Sequence, residues 1–384
     1  MLFADEDKLV EQAVQESCIQ GQALLPALEG KTFREQWLLA AATGLLRTSN
    51  STVTNKLAMV EGLGMSGLSP ALCYALASQL FGMQLPMQPW LNAEQCKQLA
   101  GLETGETLLC HALTEVQGGS DPKSMETVAE RQADGSYRLT GEKRFITAAP
   151  VADHALVFVR TGKGRSPFDL SVALVDLSDA GVVRSEPLDK TALPGVPMGV
   201  LTFDGVRLEE HSLLGGEGAG FSVMTATTTW ERALLMGYAL GPMRRMLDQT
   251  VEWSRERTHF GRSMSSSHLV AGHVADMSMY LYRSRKLLYG IARRIDAGVT
   301  IRQLSGEAAM VKISVSEDFT RLSQLAAQLG GVRSYIADSG RAIDLISSLA
   351  SMTYAGANDL LRISVARQAG LWRARLVCQS RTER

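Results

Sequence analysis

The order of helical and strand-like segments constrains the fold of this 384-residue chain more than any other feature. Up to about residue 110, apolar residues recur at helical spacing, as between Leu9 and Ile19. From there to about residue 222, strand-like runs alternate with turn signals. These runs are Tyr137 to Leu139, His154 to Thr161, Ser171 to Leu177 and Val200 to Leu208. Helical spacing returns from about residue 223. The sequence therefore predicts a helical part, a β-domain and a helical bundle, in that order.

Composition and charge argue against several classes of protein. Hydrophobic residues make up 45% of the chain and charged residues 21%, which is ordinary for a soluble globular protein. The net charge of −1 argues against a nucleic-acid-binding surface. The five cysteines are scattered, and neither they nor the six histidines have the spacing of a metal site. We therefore predict neither a metal nor a disulfide framework.

Two further observations concern membranes and export. No apolar run approaches the ~18 residues that a membrane span requires. The acidic N-terminus lacks the charged-then-apolar pattern of an export signal. We therefore predict a cytoplasmic protein that does not cross a membrane.

A glycine-rich turn lies at the predicted entry to the β-domain. Residues 113–121 read L-T-E-V-Q-G-G-S-D. Backbone N–H groups and a serine hydroxyl in such a turn can bind a phosphate. Most turns of this composition bind nothing, so this segment by itself does not establish a phosphate site.

Four further segments follow in a defined order. They are 139–147 (L-T-G-E-K-R-F-I-T), 214–221 (L-G-G-E-G-A-G-F), 257–261 (R-T-H-F-G) and 354–359 (Y-A-G-A-N-D). Together with the glycine-rich turn, they resemble the signature segments of the acyl-CoA dehydrogenase superfamily in order and spacing. The resemblance implies an N-terminal α-helical domain (1–112), a middle β-barrel-like domain (113–222) and a C-terminal four-helix bundle (223–384).

The resemblance also implies FAD, which supplies the hydride-accepting chemistry that no side chain provides. Thr114 is expected at the pyrimidine edge of the flavin, and Ser120 on its phosphate side. Phe145 and Thr147 are expected to flank the isoalloxazine, with the Thr147 hydroxyl near N5. The full set implied to hold the flavin of the same subunit is Leu113, Thr114, Gly119, Ser120, Phe145 and Thr147.

A second set of residues is implied to contact the FAD of a neighbouring subunit. Arg257, helped by Phe260, would hold the pyrophosphate, and Gly330-Gly331 would close over the adenosine end. Ala357 and Asp359 stand where relatives carry the threonine and glutamine that follow the tyrosine. Because such sites are shared across subunits, the resemblance implies a homodimer or a homotetramer.

The position of the catalytic base departs from the commonest pattern. Most of the family carries a glutamate directly after the tyrosine of the C-terminal segment, but here that residue is Ala355. A minority carries its base on another helix, one residue before an arginine, and Glu231-Arg232 matches that place. We therefore predict that Glu231 is the base, that the backbone N–H of Ala355 polarises the thioester carbonyl, and that Arg232 and Tyr354 contact substrate.

Glu231 also has a purely structural interpretation. In the sequence it stands at the beginning of an apolar helix, where the helix dipole favours an acidic residue. Sequence pattern alone does not decide between this role and catalysis.

The resemblance is closest in character to dehydrogenases of acyl or aminoacyl groups on carrier proteins, such as the flavoproteins that oxidise carrier-bound proline. We therefore predict FAD-dependent α,β-dehydrogenation of a thioester, with electrons passing to an electron-transfer flavoprotein or to oxygen. Three alternatives remain open: an ordinary acyl-CoA dehydrogenase, an inactive flavin-binding paralogue and a flavin monooxygenase.

Overall fold

The computed structural model describes residues 8–49, 51–119, 121–164 and 166–371. The N-terminal helices are α1 (Lys8–Leu28), α2 (Phe33–Ala41), α3 (Val53–Met65), α4 (Pro70–Ala77), α5 (Leu85–Met87) and α6 (Ala93–Gln98). A π-helical stretch, Ser78–Gln84, joins α4 to α5. Such wide turns are rare inside helices and are often found at functional sites.

Helix α3 lies at the centre of the N-terminal part because two glycines allow other helices to approach it closely. A Cβ atom at Gly62 of α3 would lie 2.3 Å from the carbonyl oxygen of Val14 in α1. Gly241, on a C-terminal helix, is equally close to the carbonyl oxygen of Glu61. Any side chain at either glycine would force the helices apart.

The middle strands form one seven-stranded sheet, in the order β1-β4-β2-β3-β7-β6, with β5 on the other edge of β4. Their bounds are β1 (Leu109–Ala112), β2 (Val128–Arg131), β3 (Tyr137–Thr147), β4 (His154–Arg160), β5 (Leu170–Asp176), β6 (Val182–Arg184) and β7 (Met198–Leu208). The four strand-like runs of the sequence coincide with β3, β4, β5 and β7. The pairing of β3 with β7 shifts register between Lys143 and Ile146, which is a β-bulge.

Helices return after the sheet. They are α7 (Gly220–Leu234), α8 (Gly237–Glu256), α9 (His268–Asp296), α10 (Ile301–Gly330), α11 (Leu345–Ala350) and α12 (Asn358–Gln368). A short hairpin of β8 (Thr258–His259) and β9 (Arg262–Ser263) separates α8 from α9. Helices α7 to α10 pack against one another as a bundle. The predicted fold class is confirmed, whereas the domain boundaries stay predictions.

A buried charged cluster joins the N-terminal helices to the bundle. The carboxylate of Glu61 on α3 accepts hydrogen bonds from Arg285, at 2.5 Å, and from the Tyr289 hydroxyl, at 2.7 Å. Both partners lie on α9, and Glu61 and Arg285 are fully buried. The cluster therefore fixes the relative position of the helical parts that border the site described next.

Candidate active site

A cavity of about 1040 Å³ opens where the N-terminal helices, the sheet and the C-terminal helices meet. Ten of the residues predicted from the sequence line it: Leu113, Thr114, Gly119, Phe145, Thr147, Glu231, Arg232, Tyr354, Ala355 and Ala357. They come from four separate segments between residues 113 and 357. The fold therefore brings the predicted base, the predicted flavin contacts and the C-terminal loop to one place.

The remaining predicted residues lie elsewhere. Arg257, Phe260, Gly330, Gly331 and Asp359 are not among the residues that line the cavity, and Ser120 lies outside the described residues. Phe260 is fully exposed, with a φ of 49°. The guanidinium of Arg257 donates to Nε2 of His259 at 2.7 Å and lies 5.0 Å from the Trp253 ring. The exposure of Phe260 is compatible with the predicted contact with a neighbouring subunit's cofactor, which stays a prediction.

The glycine-rich turn is held in place by a buried ion pair that the sequence did not single out. The Nζ atom of Lys143 lies 2.8 Å from the Glu115 carboxylate, and both side chains are buried. Burial alone would raise the pKa of Glu115, but Lys143 and hydrogen bonds from Thr127 outweigh it and lower that pKa to about 2. Lys143 also donates to the carbonyl oxygen of Leu113 at 3.2 Å. The pair thereby ties strand β3 to the turn.

The turn itself is tightly folded. A Cβ atom at Gly119 would lie 2.7 Å from Oγ1 of Thr114, so a side chain at this position would displace the threonine. The backbone N–H of Arg144 donates to the carbonyl oxygen of Thr114 at 2.8 Å. Thr114 is therefore held next to the bulge of strand β3.

The bulge holds an aromatic ring out of the core. Phe145 has a φ of 58° and its side chain is 55% exposed, although it lies within a strand. A bulky residue in this left-handed region is strained, and such strain concentrates at functional sites. Phe145 lines the cavity, and Thr147 lies two residues further on the same strand.

Glu231 lies near the end of α7, not at its beginning. Helix α7 ends at Leu234, and α8 begins at Gly237. The sequence-based assignment was wrong because residues 233–240 are all buried and apolar, so no polar cap marks the break. A helix C-terminus disfavours an acidic side chain, so the dipole argument for a structural role does not apply to Glu231.

The Glu231 side chain is half-buried, and its carboxyl group lies against the π-helical stretch. A Cβ atom at Gly82 would lie 3.7 Å from its Oε1 atom. Burial raises the pKa of Glu231 to about 7, against the opposing effect of Arg232 and Lys312. Within the described part of the chain, the carboxyl group has neither a hydrogen bond nor an ion pair. A carboxyl group with a pKa near neutrality can accept a proton and release it again.

The C-terminal loop is held by two cations. Nε of Arg232 donates to the carbonyl oxygen of Ala355 at 3.1 Å. Nζ of Lys312 donates to the carbonyl oxygen of Gly356 at 2.9 Å and to Oδ1 of Asn358 at 2.8 Å. Ala355 has a φ of 54°. Its backbone N–H donates to none of the described residues, so it is available as a donor to an oxygen atom in the cavity.

Three tyrosines form one wall beside Glu231. The hydroxyl groups of Tyr238 and Tyr354 are hydrogen-bonded to each other, and the Tyr74 ring meets the Tyr354 ring edge-on, at 5.0 Å between centroids. Burial and the nearby Glu231 raise the pKa of Tyr74. Tyr74 and Tyr354 line the cavity, so they limit the space next to the carboxyl group.

Sequence reasoning missed Lys312, Tyr74 and His111. Lys312 interrupts an apolar stretch of α10, from Ala308 to Val315, and a lysine in such a stretch indicates a buried cation with a specific partner. His111 lines the cavity, and burial lowers its pKa to about 4. It is therefore a neutral hydrogen-bonding group near pH 7.

Two predicted absences were examined in the described part of the chain. It contains no group of side chains with the composition of a metal site. None of its helices combines the length and the apolar character needed to cross a membrane.

Comparison with known proteins places this architecture in a family. The acyl-CoA dehydrogenase middle domain matches residues 110–206, and the acyl-CoA dehydrogenase C-terminal domain matches residues 218–370. An L-prolyl-[peptidyl-carrier protein] dehydrogenase from Pseudomonas fluorescens is 32% identical over 346 residues, covering 88% of this chain and 90% of that protein.

Two solved structures extend the comparison to the fold. The FAD complex of PigA has a TM-score of 0.87 and 26% identity, and the match covers 95% of this chain and 97% of PigA. The prolyl acyl carrier protein oxidase AnaB has a TM-score of 0.89 and 22% identity, over 95% and 99% of the two chains. The family predicted from the signature segments is confirmed, and the chain belongs to the acyl-CoA dehydrogenase family.

Proposed function

We propose that the protein is an FAD-dependent dehydrogenase that desaturates a small aminoacyl thioester, of the prolyl type, attached to a carrier protein. Glu231 removes the proton from Cα, and the N–H of Ala355 donates to the thioester oxygen as negative charge develops there. Bound FAD would supply the acceptor for the hydride that leaves Cβ. The thioester carbon skeleton thus loses two electrons and two hydrogens, and the electrons pass on to an electron-transfer flavoprotein or to oxygen.

The residues around the cavity fit the flavin. The tight Thr114–Gly119 turn brings backbone and hydroxyl groups to one side, and Phe145 offers an exposed ring next to Thr147. An isoalloxazine needs such an apolar surface with a few polar contacts at its edge. PigA, which shares the fold, has been solved as an FAD complex.

The observation that carries the proposal is the placement of Glu231 and Ala355 on one cavity. Ala355 has no carboxylate, but its N–H remains unpaired within the described residues. Glu231 supplies a carboxyl group at a pKa of about 7 in the same cavity. The two functions that most relatives combine in one residue are therefore divided between α7 and the C-terminal loop.

The carrier-bound substrate is supported by the relatives. The curated proteins that resemble this chain over more than four-fifths of its length include L-prolyl-carrier protein dehydrogenases. The wall formed by Tyr74, Tyr238 and Tyr354 limits the space beside Glu231 and favours a compact acyl group over a long chain. Acyl-CoA substrates share the pantetheine arm, so an ordinary acyl-CoA dehydrogenase is the second candidate.

Retention of Glu231 argues against an inactive paralogue. A half-buried carboxyl group whose pKa is raised costs stability when it is ionised. A protein that only stores flavin gains nothing from it, whereas a base for the α-proton needs it.

Anaerobic titration of the FAD-loaded protein tests the proposal. We expect prolyl-carrier protein to bleach the flavin absorbance, prolyl-CoA to do so less efficiently, and octanoyl-CoA to leave it unchanged. The Glu231→Gln variant should bind FAD and remain oxidised with all three. Efficient bleaching by octanoyl-CoA would favour the ordinary acyl-CoA dehydrogenase, and no bleaching by any thioester would favour the inactive paralogue.

A further inference from the structure

Lys312 is a buried cation to which the proposed chemistry assigns no role. It lies in the middle of α10, and its side chain is fully buried. Its ammonium group donates to the carbonyl oxygen of Gly356 and to the side chain of Asn358, at 2.9 and 2.8 Å. Asn358 in turn donates to Oγ of Ser316 at 3.0 Å. Lys312 therefore links α10 to the loop that carries Ala355.

That loop adopts a conformation that needs support. Ala355 has a φ of 54° and Gly356 a φ of 94°, so two consecutive residues lie in the left-handed region. Alanine disfavours this region because its Cβ approaches the following carbonyl oxygen. The carbonyl groups of both residues are bonded to cations, Arg232 for Ala355 and Lys312 for Gly356. These two bonds account for the orientation of the peptide groups around the free N–H of Ala355.

We propose that Lys312, together with Arg232, is a positioning residue that holds the Ala355 N–H in place to bind the thioester oxygen. The inference rests on the proposed function. Lys312 need not touch the substrate, since it acts through the Gly356 carbonyl group and Asn358.

Lys312 has a second effect through its charge. The groups that interact electrostatically with Glu231 are Arg232 on α7, Lys312 on α10, Tyr74 on α4 and Tyr354 in the C-terminal loop. Of these, Arg232 and protonated Lys312 lower the pKa of Glu231. Burial lowers the pKa of Lys312 itself to about 7, against the opposing effect of Glu231, so the two groups titrate in the same range. Removal of Lys312 should therefore raise that pKa and move the acidic limb of the pH–rate profile to higher pH, because the base must be deprotonated to act.

Two substitutions of Lys312 and one matched control separate these effects. Lys312→Met removes both the donor and the charge, whereas Lys312→Gln keeps an N–H donor without the charge. Lys56→Met is the control, because Lys56 is also buried and donates to a backbone carbonyl oxygen, that of Gly44 at 3.0 Å, away from the cavity. Each variant is assayed for FAD content, unfolding in urea, kcat and KM.

A spectroscopic readout measures the carbonyl contact without turnover. In a Glu231→Gln background the bound thioester is not consumed, so its carbonyl stretch can be recorded by isotope-edited infrared spectroscopy with a ¹³C-labelled prolyl thioester. A hydrogen bond from Ala355 lowers this frequency relative to the free thioester. We expect Lys312→Met to abolish that shift and Lys312→Gln to retain part of it.

In the otherwise wild-type protein, we expect Lys312→Met to lower kcat about 10²-fold, comparable to the loss of one oxyanion donor. KM should change little, and Lys312→Gln should recover part of the rate. Both variants should move the acidic limb of the pH profile upward, whereas Lys56→Met should change neither the rate nor the profile. If Lys312→Met does not fold, the rate and pH profile of Lys312→Gln, together with its carbonyl frequency, test the positioning role instead.

An unchanged carbonyl frequency and pH profile in a folded Lys312 variant would overturn the positioning role, even if its stability fell. That outcome would leave the proposed function intact as long as the wild-type protein reduces its flavin with the thioester. Failure of the wild-type protein to do so would overturn the proposed function itself.

Discussion

At the scale of single residues, burial determines the chemistry of Glu231. An exposed glutamate is ionised at pH 7 and well solvated, so it is a weak base. Burial against Gly82 raises the pKa of Glu231 to about 7, while Arg232 and Lys312 keep it from rising further. The same environment destabilises the folded protein when Glu231 is ionised, because a carboxylate without a partner is costly to remove from water.

We expect Glu231→Gln to slow flavin reduction by more than about 10⁴-fold, the upper end for general acid–base catalysis, because an amide cannot accept the α-proton. In the wild-type protein, the rate of reduction should fall as the pH falls through about 7, since the carboxyl group becomes protonated. Stopped-flow measurement at 450 nm with a fixed thioester concentration gives both results. Glu209→Gln changes an exposed acid that directly follows β7 and does not line the cavity, and it serves as the control. A variant that reduces its flavin at the wild-type rate would place the base elsewhere.

Glu231→Gln should also stabilise the protein above neutral pH. A pKa raised from 4.5 to about 7 means that the folded state holds a proton that the unfolded state releases between these values. The free energy of unfolding therefore decreases as the pH rises through this window, by up to about 3 kcal/mol at pH 8. Urea unfolding of the substrate-free protein should show the variant more stable than wild type at pH 8, with a much smaller difference at pH 5. Equal differences at both pH values would contradict the raised pKa.

At the scale of elements, strand β3 carries the geometry of the predicted flavin site. Its bulge exposes Phe145, and Lys143, two residues earlier, is fully buried against Glu115. Residues two positions apart on a regular strand point to the same face. The bulge between Lys143 and Ile146 therefore directs Phe145 to the cavity while Lys143 stays buried against Glu115.

We expect Lys143→Met to destabilise the fold by about 3 kcal/mol or more, because it leaves the Glu115 carboxylate buried and unpaired. The turn from Leu113 to Gly119 should loosen, and FAD affinity should fall with it. Urea unfolding and fluorimetric FAD titration measure the two effects. Arg207→Met removes the exposed Asp134–Arg207 pair from the same sheet, at 2.9 Å, and should change neither quantity measurably. Unchanged FAD affinity in Lys143→Met would mean that the turn does not contribute to FAD binding.

At the scale of the whole molecule, the site exists only because three parts meet. Close helix packing at Gly241 and the Glu61–Arg285 ion pair hold the N-terminal helices against the bundle. Loop 189–198, between β6 and β7, lines the cavity from the side of the sheet and is fastened to α11 by a hydrogen bond from the Leu193 N–H to Ser347 Oγ, at 2.6 Å. Phe260, in contrast, is fully exposed on the protomer, and Arg257 is half-buried outside the cavity.

Mixed oligomers test whether Arg257 serves a neighbouring subunit. In a dimer, each active site would combine Glu231 of one protomer with Arg257 of the other. Glu231→Gln and Arg257→Ala proteins should each be poorly active alone, the second through loss of FAD. Co-expressed, they should recover about a quarter of the wild-type activity, because half of the statistically formed dimers carry one intact site. Light scattering establishes the oligomer, and absence of complementation would mean that Arg257 acts within its own subunit or not on FAD.

The sequence by itself determined the order of helical and strand-rich segments, four of the seven strands of the sheet and the family. These follow from hydrophobic periodicity and from short segments with defined spacing, which are local properties of the chain. It also indicated Glu231 as the base, because Ala355 leaves the usual position without a carboxylate.

Only the tertiary structure decided the environment of that base. The packing of Glu231 against Gly82 and the proximity of Lys312 depend on contacts between residues 149 and 81 positions apart. The break between α7 and α8 was hidden because buried apolar residues continue through it. Lys312 was missed for a related reason, since its partners, Gly356 and Asn358, lie more than forty residues away in the chain. No local sequence pattern indicates which loop a buried lysine will contact.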